Sequence, residues 1–420
     1  MSIHRQNGHD KAPTSRGVYM AGKPTNSRWN VCCQNGVISS LSESIDTSEE
    51  TGQFLGPSLC HPHIHLDKCF LLSHPKYADL EIKKGGFAEA MELTITHYVS
   101  ATAKSRFEVD DLMERGRALI EESIGFGVTH MRAFVEVDHG VGMKCLEAGL
   151  RLKDEFKDRC FVQICVFAQD PIFSYKDKGQ AMKSLLEKAV GMEGVDAFGS
   201  TPYVEKDLYT QDQNVSYAIN LATDHKLHLD FHIDYNLDPK QESVVLVAID
   251  YLRRCEWPSD SNSPEFRTIV FGHCSRLTLF DKDEWLSLSK KAQGLPISFV
   301  GLPTSDLFMM GRPREGAGGG ERPRGTLQIP QMIEKYGFNG ALGVNNQCIS
   351  SRAKLAIGAG VAFNNELDVG ESADFVVFGK AVAATGSSSF RSKRRTNQDL
   401  INDPPHERTT VFQGSIVSHR

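Results

Sequence analysis

Histidine is sparse in this chain, 15 in 420 residues, yet three fall close together in His61-Pro62-His63-Ile64-His65-Leu66-Asp67-Lys68. Residues two apart on a strand point to the same side, so His63 and His65 can present two imidazoles to one ion. His232 closes the apolar run Leu229-Asp230-Phe231, and His273 closes Ile269-Val270-Phe271-Gly272. Either one alone reads as a satisfied core histidine. As a set of four, each ending a strand-like run, they read as a site for one divalent metal. The bland alternative, four imidazoles packed without polar partners, would cost about 1–3 kcal/mol for each group left unpaired.

The elements that must position these residues follow from periodicity. Val128–Phe134, Val162–Phe167, Leu227–Phe231 and Thr268–Phe271 are apolar, β-branched runs. Between them lie helix-like stretches such as Asp110–Ile124 and Gly142–Phe156, with apolar residues at three- and four-residue spacings. Alternation of this kind predicts parallel strands joined by crossover helices, an α/β chain whose chemistry sits at the carboxyl ends of the strands. Gly17–Leu41 reads as short strands broken by turns at Pro24-Thr25 and Asn35-Gly36. Ser372–Phe378 and Thr409–Val417 are β-rich and flank a polar stretch, Ser387–Arg408. The organisation expected is a disordered tail over 1–16, a small β-domain from 17–55 and 365–420, and an α/β barrel carrying the histidines over 56–364.

Composition excludes several classes. The 40% hydrophobic and 24% charged content is globular, and a formal charge of −6 gives no basic field for a nucleic-acid backbone. The ten cysteines show no framework spacing, which predicts reduced and mostly buried thiols. The polar N-terminus and the lack of any run of about 18 apolar residues predict no membrane partner and a cytoplasmic protein. Gly316–Gly320 lacks a following Gly-Lys-Ser/Thr, so it reads as a mobile loop, a candidate lid, and not a phosphate cradle.

The order His63-Ile-His65-Leu-Asp67-Lys68, then His232, then Gly272-His273-Cys-Ser, then Ala341-Leu-Gly343 resembles the amidohydrolase superfamily. Within it the resemblance is to cytosine deaminases and N-isopropylammelide-type hydrolases. Val166-Phe-Ala-Gln169 and Leu302–Arg312 followed by Arg322-Pro-Arg-Gly325 support it. The resemblance spans roughly residues 50 to 380 and implies a (β/α)₈ barrel with a small β-sandwich from the terminal segments. It implies a metal-dependent hydrolase of a C–N bond in a cyclic, nitrogen-rich small molecule, with hydroxide attack on a ring carbon and loss of ammonia or amine. His63, His65 and His232 would hold one Zn or Fe ion, with Asn345 at the position of a last ligand. His273 would act on the attacking water, Gln169 would meet the substrate's amide edge, and Lys68 and Asp67 would line the pocket or form a strand-end ion pair. A homo-oligomer is expected by the same resemblance.

Three departures stand out. The family's acid/base glutamate is replaced by Tyr235, whose phenol, with an ordinary pKa near ~10, is a poor proton shuttle. Asp234 or Asp238 is expected to substitute. The last-strand aspartate is replaced by asparagine at both plausible positions, Asn345 and Asn346, and asparagine can offer a carbonyl oxygen but accepts no proton. About three dozen residues of the family pattern are missing between Asn345 and Ser350–Gly358, which predicts a truncated eighth βα unit. These departures motivate an alternative of another class, a catalytically silent relative that binds metal or a heterocycle without turnover.

Overall fold

The computed structural model describes residues 14–24, 26–45, 52–80, 103–310, 323–345, 367–379 and 407–420. Eight parallel strands form one sheet in sequence order: β5 (Leu59–His65), β6 (Val128–Glu136), β7 (Phe161–Ala168), β8 (Val195–Ser200), β9 (His228–Ile233), β10 (Ile269–His273), β11 (Ile297–Gly301) and β12 (Asn339–Leu342). The sheet closes beyond β12, where Asn345 bridges in parallel to Ile64. Its N–H donates to the His63 carbonyl and its own carbonyl accepts from His65 N–H, both at 3.2 Å. The result is the expected TIM-type barrel.

Helices cover the outside because each carries an apolar stripe that the strands' outward residues bury. Val109–Gly125 contributes Leu112, Leu119, Ile120 and Ile124, and Lys144–Phe156 contributes Leu146, Leu152 and Phe156, to one core shared with Ile64, Met131, Ala133 and Val135. Caps set the helix starts. Asp207 Oδ1 accepts from Thr210 N–H at 2.8 Å, and Asp281 Oδ1 accepts from Glu284 N–H at 2.9 Å. Low in the barrel, Arg132 pairs with Asp230 at 2.9 Å and donates to Gln163 and Thr268. Burial raises the Asp230 carboxyl to about 7 against the pull of Arg132.

The chain's two ends build a second sheet, ordered β15 (Ser415–His419), β14 (Arg408–Phe412), β13 (Phe375–Phe378), β4 (Phe54–Pro57), β1 (Thr14–Met20), β2 (Trp29–Gln34) and β3 (Val37–Glu43). It curls until Val37 bridges Ser372, enclosing Val18, Val31, Ile38, Leu55, Phe375 and Val411. β1 begins at Thr14, inside the stretch expected as a tail. The sheet docks on the turn before β6. Gly127 sits there at φ +100°, and a Cβ on it would lie 2.4 Å from Val376 Cγ2, so only glycine fits. Thr410 Oγ1 donates to the Ile124 carbonyl at 2.7 Å across the same junction.

β8 and β11 were not among the runs singled out in the sequence. The glycine-rich loop at 316–320, the shortened segment after Asn345 and the polar stretch from 387 to 406 lie outside the described residues. Among the described residues, no helix is long and apolar enough to cross a membrane, and the nine cysteines there are all free thiols, seven of them buried.

Candidate metal centre

The HPHIH run is not a uniform strand. Pairing of β5 with β6 shifts register between His61 and Ile64, at Pro62, which has no N–H to give the ladder. His61 therefore turns outward, its Nε2 3.1 Å from Ser123 Oγ on the covering helix. His63 and His65 turn inward. Burial lowers the His61 imidazole to about 4, so it is a neutral packing group.

His63, His65, His232 and His273 converge at the carboxyl end of the barrel. The His63 and His232 rings stack with centroids 4.2 Å apart. His65 lies 5.6 Å from His63 and 5.2 Å from His232, and His273 lies 5.8 Å and 5.4 Å from the same two rings. One ring nitrogen each of His63, His232 and His273 falls within 4.8 Å of the others. His65 stands beside this trio with Nδ1 3.9 Å from Asp67 Oδ1. Phe134 and Phe167 pack beneath, 4.4 Å from His63 and 4.2 Å from His232.

Both nitrogens of His63, His65 Nδ1, His232 Nε2 and Asn345 Oδ1 are buried with no hydrogen-bond partner among the described residues. Such a concentration of unpaired lone pairs is costly unless something accepts them. Desolvation first, then mutual repulsion and Lys68, hold the His63, His65 and His232 imidazoles well below their ordinary pKa. At neutral pH they are neutral donors, the form a divalent cation takes. The residues present fit a divalent metal.

Backbone strain gathers at the same place. Asp234, His273, Cys274 and Asn345 all have positive φ, between +46° and +70°. Non-glycine residues enter this region at a cost, and in folded proteins they cluster at working sites. Gly272 makes room for His63, since a Cβ there would lie 3.0 Å from His63 Cε1.

The short helix Pro303–Met309 after β11 supplies two consecutive orienting residues. Ser305 Oγ accepts from Asn345 Nδ2 at 2.6 Å, which turns Asn345 Oδ1 away from Ser305; the Asn345 amide faces His63 and His65. Asp306 Oδ1 lies 2.8 Å from His273 Nδ1, and Asp306 Oδ2 accepts from Thr326 Oγ1 at 2.8 Å.

The remaining expected residues divide. Gln169, just past β7, is buried beside the Tyr203 hydroxyl, with its Nε2 unpaired among the described residues. Lys68 and Asp67 are buried in an ion network, not set apart as a pair. Lys68 Nζ lies 3.6 Å from Asp67 and contacts Glu136, while Lys104 Nζ lies 2.8 Å from Glu136, 3.5 Å from Asp170 and contacts Asp138. Burial raises Asp67 to about 6 and Asp170 to about 7. Burial opposes the charge on Lys104, but Glu136, Asp138 and Asp170 overcome it and hold its pKa well above normal.

Asp234 and Asp238 are not brought to the histidines. Asp234 caps the helix Val244–Arg254, accepting from Ser243 Oγ at 2.5 Å and Val244 N–H at 2.8 Å. Asp238 is exposed and accepts from Lys240 N–H at 2.9 Å. The residue that does face the site from this loop is Tyr235, its ring 4.1 Å from His273. Burial pushes its hydroxyl well above the usual range.

Sequence reasoning missed Glu136, Lys104 and Asp306. Glu136 closes β6 just as the histidines close their strands, a signal that was available. Asp306 lies 33 residues from His273, and no local spacing announces the pair.

Comparison with known proteins agrees with this architecture. No family model matches. An N-isopropylammelide isopropyl amidohydrolase of a Pseudomonas species is 26% identical over 195 residues, 46% of this chain and 44% of the relative, so the match spans under half of that protein. Among solved structures, 5-methylcytosine deaminase from Klebsiella pneumoniae superposes with a TM-score of 0.75 at 18% identity, covering 96% of this chain and 98% of the other. N-isopropylammelide isopropylaminohydrolase from Burkholderia multivorans gives 0.64 at 15%, covering 96% and 97%. A zinc-complexed atrazine chlorohydrolase from Arthrobacter aurescens gives 0.60 at 14%, covering 96% and 94%.

Proposed function

We propose that the chain is an amidohydrolase-superfamily member and a metal-dependent hydrolase of a C–N bond in a cyclic, nitrogen-rich small molecule, a reading supported by the curated relative and the shared barrel fold. The observation that carries this reading is the convergence of buried, unpaired His63, His65, His232 and Asn345 atoms at the carboxyl end of the barrel. His63, His65 and His232 would hold one Zn or Fe ion, with the Asn345 carbonyl beside them. A bound divalent ion supplies Lewis acidity that brings the pKa of water close to neutral.

The chain's own residues do the rest. Gln169 offers an unpaired amide N–H to a heterocycle's acceptor edge, next to Tyr203. A buried unpaired donor of this kind favours a ligand that satisfies it over one that does not. His273, neighbouring the ligand rings and bonded to Asp306, is placed to take a proton from water and hand it to the departing nitrogen. Asp234 and Asp238, occupied elsewhere, leave His273 as the proton carrier. The Phe134 and Phe167 rings exclude water beneath the site.

Tyr235 and Asn345 favour a second reading, a relative that binds metal and a heterocycle without turnover. Metal analysis of purified protein, paired with ammonia release from cytosine and isocytosine and amine release from an N-alkyl triazine under added Zn²⁺ or Fe²⁺, separates the two. About one metal per chain with product release supports the hydrolase. Metal without product supports the silent binder, and absence of metal removes the basis of both.

A further inference from the structure

His273 is held from two sides. Its backbone sits at φ +68°, which fixes the direction in which its side chain leaves β10. Its Nδ1 lies 2.8 Å from Asp306 Oδ1, and Asp306, 0% exposed, is itself pinned by Thr326 through the other oxygen. The Tyr235 ring packs against the imidazole at 4.1 Å, so the ring has little freedom to flip. A carboxylate facing Nδ1 requires a proton there. The neutral imidazole then carries its lone pair on Nε2, the reverse of the tautomer that histidine prefers in water.

We propose that Asp306 is a positioning residue for the reaction, fixing His273 in the Nδ1–H tautomer with the Nε2 lone pair turned toward His63 and His232. Thr326 completes the relay by holding the carboxylate in place. A buried carboxylate that accepts from two defined donors, the His273 Nδ1–H and the Thr326 hydroxyl, is the arrangement by which a proton-carrying imidazole is kept in one tautomer. Asp306 touches neither substrate nor the reacting atoms; it acts through His273. This inference rests on the hydrolase reading for its catalytic consequence but not for its structural one.

The test is therefore double. Selective ¹⁵N-histidine labelling of the full chain, metal-free and Zn-loaded, with His273→Gln to assign the signal, reads the tautomer without any substrate. The wild type should show Nδ1–H at His273, and Asp306→Asn should abolish that single tautomer. In the turnover assay Asp306→Asn should lower kcat on the order of 10²–10⁴-fold, with KM and bound metal unchanged. Asp306→Glu should recover part of the loss. Thr326→Val, nearly isosteric, keeps the test available if Asp306→Asn fails to fold, with an expected loss in kcat of about 3–10-fold. An unchanged tautomer in Asp306→Asn, unchanged kcat, or loss of metal together with activity would each overturn the proposal. If no substrate is turned over by the wild type, the hydrolase reading fails while the tautomer measurement still decides the role of Asp306.

Discussion

Gly272→Ala is the most direct probe of the histidine cluster. The added Cβ would sit 3.0 Å from His63 Cε1 and 3.1 Å from His63 Nδ1, where ordinary contact begins at 3.4 Å. The ring must therefore give by 0.3–0.4 Å. It has little room, since His232 stacks on it at 4.2 Å and Phe134 lies at 4.4 Å. Metal–ligand bonds tolerate about ±0.2 Å, so the shift exceeds what a bound ion accepts without distortion. Overpacking costs about 1–3 kcal/mol, and where that strain falls on a ligand, zinc affinity should drop about tenfold or more, at about 1.4 kcal/mol per factor of ten. Gly301→Ala on the adjacent strand is the control. Its Cβ would meet Ile329 Cγ1 at 2.9 Å, away from the histidines. Zinc affinity by competition with a chromophoric chelator, alongside urea midpoints, should show similar destabilisation in both variants and weakened zinc binding in Gly272→Ala alone. Equal zinc affinity in the two variants would refute the reasoning.

Three further outcomes follow from buried groups. The His61 imidazole is lowered to about 4 by burial, so below the unfolded value of 6.5 the unfolded chain binds the proton and the native one does not. Stability from this group is intact above pH 6.5 and lost as pH falls toward 4, by about 2 kcal/mol between pH 7.5 and 5. His61→Gln should flatten the urea-midpoint profile by that amount, and an unaltered profile would contradict it. Asp234→Asn should cost about 1–2 kcal/mol through the weakened cap on Val244–Arg254 while metal stoichiometry and kcat hold; a kcat loss above tenfold would return Asp234 to the chemistry. Lys104→Met strands Asp138 and Asp170, leaves Glu136 with Lys68 alone, and should cost about 3–5 kcal/mol. The penalty should be larger at pH 8 than at pH 5.5, where Asp170, raised to about 7 by burial, takes up a proton, and equal penalties at both would count against the network.

The sequence by itself determined the alternation of strands and helices and the identity of the histidines, and its resemblance to a known family implied the barrel. Short apolar, β-branched runs such as Val162–Phe167 and three- and four-residue spacing in Asp110–Ile124 are local properties, legible along a single stretch of chain. They placed His232 and His273 at strand ends before any contact was known. Tertiary structure decided the rest, because each remaining feature depends on residues distant in sequence. The bulge at Pro62, which sends His61 outward and His63 inward, follows from pairing with β6. Closure of the barrel by Asn345 needs β5 beside it. Asp234 and Asp238 are chemically suited to carry a proton, and nothing in their sequence neighbourhood says that one is tied to Ser243 and Val244 and the other faces solvent. The pairing of His273 with Asp306 is likewise a product of two adjacent strands delivering their ends to one place, a distance that only the closed barrel sets.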